Sequence, residues 1–342
     1  MLPGAVIPRH SGASVRTIKH RLLNAYYFRA HLYTMVPHQV REDLKWMRDV
    51  GTQAVSIAVL EQDLFAAVEN IHVICDEAGK LGMDVYAVPS RWAGLFAGAP
   101  KVPSLFSVCH PDTWVLERDG SPKFSDVSGV ISSVHYPETF EFFRTSIDKM
   151  FSLWDLKGVI WDEPKMLQSR DFSGKAVEKL GTEAPIETHV RAFVDFMSRI
   201  NRYIKTAHPE KRTCLFAYAF LDDWQIEMAV NIDGLDEFGC DGRPWYAEDK
   251  GKNEASGKVL LGKEGGERFL TAAKMAGKKS VWLIENHNMA TSDILILDRR
   301  LPEVLLKEVD HLIYYYYPRN LEDPDRIMNV IRKHLLNRVS TG

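Results

Sequence analysis

The sequence predicts an α/β fold, a (β/α)8 TIM barrel that makes one domain over residues 1–342. Short β-branched and aromatic runs alternate with amphipathic helical patterns along the whole chain, the signature of repeated βα units around a parallel sheet. Eight such units can be counted. The links between them are lopsided: those from helix to next strand are very short ("VGTQ", "KLGMD", "DLKG", "MAGKKS", "EVDH"), whereas those from strand to next helix are often long. A barrel shows that asymmetry when one rim is trimmed and the rim at the strand C-termini is built up for function.

Residues 1–23 have scattered basic residues and no continuous apolar core of signal-peptide length, so they read as a short leader. Strands are expected at 24–32, 53–59, 84–88, 158–161, 213–218, 234–238, 280–284 and 311–316. Helical patterns with apolar residues at three- and four-residue spacing lie between them, including "QVREDLKWMRDVG", "ETFEFFRTSIDKMFSLW" and "PIETHVRAFVDFMSRINRYIKTA". "DPDRIMNVIRKHLLNRV" is the expected closing helix. Long rim loops are expected after strands three (89–136), four, six and seven. The alternative, a doubly wound open sheet, usually carries a glycine-rich phosphate turn after its first strand; "FRAHLYTMVP" has no glycine.

Composition excludes several classes. Hydrophobic residues make up 45% and charged residues 26%, the formal net charge is −3, and there is no run of like charge. Neither nucleic acid nor a membrane surface is an expected partner, no stretch has the roughly 18–20 apolar residues of a membrane span, and a cytoplasmic location is expected. Cys75, Cys109, Cys214 and Cys240 are far apart and read as buried free thiols.

In a barrel, residues at strand C-terminal ends are where chemistry is sought. Here they are acidic and aromatic, with interspersed Arg and His: Arg29, His31, Glu61, Asp63, Arg91, Trp92, Asp162, Glu163, Asp222, Asp223, Trp224, Glu237, Asp241, Glu285, His287, Tyr316, Tyr317 and Arg319. Glu163 and Glu285 each follow a strongly apolar strand directly ("GVIW", "SVWLI"), from strands four and seven on opposite sides of the mouth. Two carboxyls flanking a bound sugar are the equipment for glycosidic cleavage, one protonated to release the leaving oxygen, the other ionised to meet the oxocarbenium centre.

With these residues in place the chain resembles the clan A glycoside hydrolases, (β/α)8 enzymes that mostly retain configuration. In that clan an acid/base glutamate ends strand four, often as Asn-Glu-Pro, and a nucleophile glutamate ends strand seven. "WDEP" matches the first place through Glu163, and "LIENHN" matches the second through Glu285. The resemblance implies a glycoside hydrolase with Glu163 as acid/base and Glu285 as nucleophile, acting on a carbohydrate substrate. Asp162 stands where the clan usually has Asn, whose amide donates to the sugar's 2-hydroxyl; an ionised aspartate only accepts. Either the substrate supplies that donor, or Asp162 stays protonated beside Glu163, or Asp162 is itself the catalytic carboxylate.

Sugar binding needs flat apolar faces ringed by polar groups. Trp92, Trp245 and Tyr316 are the expected stacking faces, with Asp162, Arg29, His31, Arg91, His110 and His287 as polar contacts. Because adjacent strand residues alternate faces, about half of "YYYY" belongs to the core. His110, Asp112, Trp114 and His135 in the long third loop match no standard zinc spacing, so neither metal nor cofactor is expected. "RAHLY" lacks an amidohydrolase His-x-His, "IDGLDEFG" lacks a Schiff-base lysine, and "ENHNMA" and "YYPRNL" lack a phosphate turn. A barrel that only binds glycans and a transglycosylase on the same scaffold are the alternatives.

Overall fold

Eight parallel strands close on themselves in the computed structural model, which describes residues 21–27, 35–98, 100–250, 258–317 and 322–339. They are β1 (Leu22–Tyr27), β2 (Ala54–Val59), β3 (Asp84–Pro89), β4 (Gly158–Asp162), β5 (Arg212–Tyr218), β6 (Glu237–Gly242), β7 (Lys279–Ile284) and β8 (His311–Tyr316). Each pairs in parallel with its sequence neighbours, and β1 pairs with β8 to complete the ring. The expected (β/α)8 barrel is therefore the observed fold.

The main helices are α1 (Pro37–Asp49), α2 (Val68–Lys80), α3 (Pro137–Leu153), α4 (Ile186–Ala207), α5 (Asp223–Val230), α6 (Glu267–Met275), α7 (Thr291–Leu306) and α8 (Pro324–Val339). None is long and apolar enough to cross a membrane. Their apolar faces and the outward strand residues, such as Val159, Trp161, Phe238 and Trp282, make the larger core. Inward residues, including Tyr26, Tyr86, Ile160, Phe216, Val281 and Ile313, fill the barrel. This two-residue alternation sorts every strand into a lumen set and a helix-facing set.

The strand boundaries differ from the sequence reading chiefly at β6. Residues 234–236 precede it and the strand runs on through Gly242, although "FGCDG" reads as a turn. Gly239 is required there by close approach: a Cβ would lie 1.6 Å from the carbonyl oxygen of Val281 on β7. The shift puts Glu237 at the floor of the barrel, where its Oε2 meets His311 Nδ1 at 2.5 Å and its Oε1 accepts from Arg212 at 3.0 Å, and it leaves Asp241 at the rim. At β1 the described strand ends at Tyr27, so Arg29 and His31 lie outside the described residues.

The long loop after β3 is packed rather than loose. It carries a short helix (Leu105–Cys109) and a small hairpin (Phe124–Ser125 with Gly129–Val130). Glu61, just after β2, anchors it: Oε1 accepts from Ala93 N at 2.9 Å and Ser104 Oγ at 2.7 Å, and Oε2 from Phe106 N at 2.6 Å. Cys214 and Cys240 are buried free thiols as expected, but Cys75 is only half-buried and Cys109 is exposed.

Candidate active site

Alternation decides what reaches the mouth. Asp162 on β4, Tyr218 on β5, Asp241 on β6 and Tyr315 on β8 share the inward parity of their strands, and Glu285 continues that of β7. Glu163, next after Asp162, would turn away if the strand continued. Instead its backbone is left-handed, with φ 43°, and its amide donates to Phe216 O at 3.0 Å. That conformation costs a non-glycine residue of order 1–3 kcal/mol, the kind of strain that persists where it aims a side chain.

These groups line a cavity of about 370 Å³ at the C-terminal mouth, with Tyr26, Arg91, Gly98, Ser125, Ser128, Lys165, Lys258 and His287. Its volume falls within the ordinary small-ligand range of ~300–1,000 Å³. At the centre stands Lys258, whose ammonium donates to Asp241 Oδ2 at 2.5 Å, to Glu285 Oε1 at 2.7 Å and to Glu163 Oε1. One oxygen from each of these three acids lies within 4.8 Å of the others. Arg243 supports the far side, its Nη1 donating to the carbonyls of Glu285 (2.9 Å) and His287 and its Nε lying 3.7 Å from Glu285 Oε2. His287 Nε2 is 3.6 Å from Glu285 Oε1, its ring meets Tyr315 edge-on at 5.0 Å, and Tyr315 stacks on Tyr26 at 5.4 Å.

The acids divide electrostatically. Burial pushes the Asp162 carboxyl up, the Glu163 charge adds to this against the pull of Lys258 and Arg91, and the result is about 8. Burial and the same Glu163 charge hold Asp241 well above its ordinary value. Glu285 goes the other way: burial opposes ionisation, but His287, Lys258 and Arg243 outweigh it and hold the carboxyl far below the usual range. Around neutral pH the site therefore keeps protonated and ionised carboxyls side by side, which acid/base chemistry needs.

Among the described residues two groups place metal-type donors within reach of one another. Glu163, Asp241 and Glu285 already enclose the Lys258 ammonium. Cys214, Glu237 and His311 lie on the sealed barrel floor, where Glu237 is held by His311 and Arg212, and His311 Nε2 lies 3.1 Å from Asn24 Nδ2.

Of the expected site residues, the structure brings together Glu163, Glu285, Asp162, Arg91 and His287. It places four elsewhere. Trp92 is fully buried against Phe142 and Phe143, with its indole donating to Val59 O at 2.9 Å. Trp245 is buried beneath the cations of Arg243 and Lys250. Tyr316 faces α1, where its hydroxyl donates to Asp43 at 3.1 Å, because β8 alternation turns Tyr315 inward instead. His110 lies exposed on the outside of the long loop, against Phe106. Strand parity alone marks Tyr26, Tyr218, Asp241 and Tyr315 as inward once the register is known. Lys258, from a polar glycine-rich loop, carries no sequence signal for its position.

No protein-family model matches the chain, and no curated protein matches it. Solved structures do. The catalytic domain of a β-amylase from Paenibacillus polymyxa aligns over 92% of this chain and 98% of its own, with 8% identity and a TM-score of 0.61. A β-galactosidase from the psychrophilic Marinomonas ef1 aligns over 94% of this chain with 12% identity and a TM-score of 0.58, and an α-galactosidase from Geobacillus stearothermophilus over 95% with 8% identity and a TM-score of 0.55. This chain spans 60% of the Marinomonas chain and 42% of the Geobacillus one. At these identities the likeness establishes a shared barrel architecture.

Proposed function

We propose that the chain is a glycoside hydrolase that cleaves with retention of configuration, Glu163 serving as acid/base and Glu285 as nucleophile. The observation that carries this reading is the convergence of Glu163, Asp241 and Glu285 on one point, where Lys258 now supplies a positive charge. A site that surrounds a point with carboxyls stabilises positive charge there, and glycoside cleavage develops oxocarbenium charge at the anomeric carbon. The oxygen separation, within 4.8 Å, supports retention, for which the carboxyls stand about 5–5.5 Å apart, over inversion, which needs roughly 6.5–9.5 Å for an intervening water. The barrel neighbours, glycosidases of several specificities, are further support.

In this mechanism Lys258 swings out as sugar enters. Freed of that cation, Glu163 takes up a proton from solvent and passes it to the leaving oxygen while a Glu285 oxygen bonds the anomeric carbon and the glycosidic C–O bond breaks. Water then attacks that carbon, giving its proton to Glu163 and freeing Glu285. Asp162, held protonated, donates where an amide would otherwise do so.

A second reading rests on one observation: Asp162 and Asp241 are both inward by strand parity and both pushed up, so they could be the working pair. Turnover of a panel of neutral and acidic aryl glycosides by Glu163→Gln, Glu285→Gln, Asp162→Asn and Asp241→Asn separates the two. No turnover by the unaltered protein, or full activity in both glutamate variants, overturns the first reading.

A further inference from the structure

We propose that the cavity wall formed by Lys165 and Arg91 is a subsite for an anionic substituent on the sugar, a carboxylate, sulfate or phosphate; this deepens the glycosidase reading and rests on it. The cations of the cavity fall in two places. Lys258 stands among three acids and is compensated there. Lys165 enters from β4's end, immediately after Pro164, and its ammonium donates to the buried hydroxyl of Ser128. Among the described residues Lys165 makes no ion pair, and a hydroxyl dipole does not balance a full charge. Beside it the Arg91 guanidinium donates to the carbonyl oxygens of Gly98 at 2.8 Å and Pro100 at 3.0 Å, which fix its direction.

Holding an ammonium partly out of water beside a second cation costs free energy: burial and then the Arg91 charge pull Lys165 down to about 8. Two acids pull the other way, Glu163 more than Asp162, but Glu163 is already engaged by Lys258 and Asp162 is held protonated at neutral pH, so their relief is partial. Arg91 adopts a left-handed backbone, φ 63°, to stand here. An anionic oxygen group reaching this wall gains charge-assisted hydrogen bonds from Lys165 and further hydroxyl donors from Ser125 and Ser128, and it removes the unfavourable pairing of like charges. A neutral hydroxymethyl group gains none of the charge term.

Calorimetric titration at pH 6.5 tests this with D-glucuronate, D-galacturonate and glucose 6-phosphate, their neutral parents glucose and galactose, and inorganic sulfate. The expected result is that at least one anionic sugar binds about tenfold or more tighter than its parent. That ratio falls toward one in Lys165→Gln, survives in Lys165→Arg, is unchanged in the exposed control Lys175→Gln, and shrinks at pH 9 as Lys165 loses its proton. Equal binding of anionic and neutral sugars, no binding of any probe, or a ratio that persists in Lys165→Gln overturns the proposal. Should Lys165→Gln fail to fold, Lys165→Arg and the pH series decide alone. Sulfate binding as tightly as the anionic sugars, with no gain from the ring, upholds the anion subsite and counts against the sugar reading. An anionic preference without turnover of any glycoside upholds the subsite and removes the hydrolase reading.

Discussion

Lys258 Nζ donates to Glu285 Oε1 across 2.7 Å, tying the loop after β6 to the end of β7. The same ammonium reaches Asp241 and Glu163, so one cation pairs with carboxyls from three strands. Removing it in Lys258→Met leaves them facing one another. Truncating one member of a buried charge cluster costs about 3 kcal/mol or more, and that loss is expected at pH 7. Protonation relieves the repulsion, so the deficit should shrink as pH falls toward 4.5. Denaturant unfolding at both pH values checks this; a deficit that does not change with pH contradicts the role given to Lys258.

Asp162 makes a prediction of opposite sign to the usual carboxylate. Its folded-state value of about 8 lies above that of an unfolded aspartate, about 3.9. Between those values the unfolded chain has released the proton and the folded chain has kept it, so the native state loses stability as pH rises through that window and levels off above it. Asp162→Asn removes the penalty. Relative to the unaltered protein it should gain stability steadily from pH 4.5 to pH 8, and equilibrium unfolding across that range would show a flat difference if Asp162 were ionised in the fold.

Glu285 is held ionised, first by His287 and Lys258 against the pull of burial, so it should not set the acid limb of kcat/KM. His287→Ala removes the largest of those supports. The acid limb is then expected to move toward neutral pH, and Glu163→Gln or Glu285→Gln should lower kcat by about 10³-fold or more, the scale seen when one member of a catalytic unit is lost. Proton NMR of the first-formed anomer gives the stereochemistry; an inverted product excludes the covalent route through Glu285.

Glu61 gives a structural prediction. Its carboxylate accepts from Ala93 N, Ser104 Oγ and Phe106 N, groups that nothing else would satisfy in the same way. Glu61→Ala should destabilise by roughly 3 kcal/mol and raise amide exchange across residues 92–107 before other regions. Protection unchanged in that segment would show that the loop is held by other contacts.

Much of this molecule is legible in the chain. Eight β-rich runs in alternation with helical periodicity define the barrel, and "GVIW" and "SVWLI" deliver Glu163 and Glu285 to one rim. Local ambiguity hides the end of β6: "FGCDG" has two glycines and reads as a turn, yet Gly239 is there because Val281 O approaches from β7. Trp92, Trp245 and Tyr316 were expected at the mouth because they lie beside rim segments. A strand or loop position does not say which way a ring turns.

Sequence by itself determined the closed alternation of strands and helices, the rim with the long loops and two of the acids on it, because hydrophobic periodicity and loop length are properties of neighbouring residues. Only the tertiary structure decided the rest. Which face of β8 looks inward follows from its register against β1 and β7, and this exchanges Tyr316 for Tyr315. The grouping of Glu163, Asp241 and Glu285 around Lys258, and the resulting split of the acids into protonated and ionised, depend on distances between residues up to 122 positions apart, from Glu163 to Glu285, and such distances exist only once the barrel has closed.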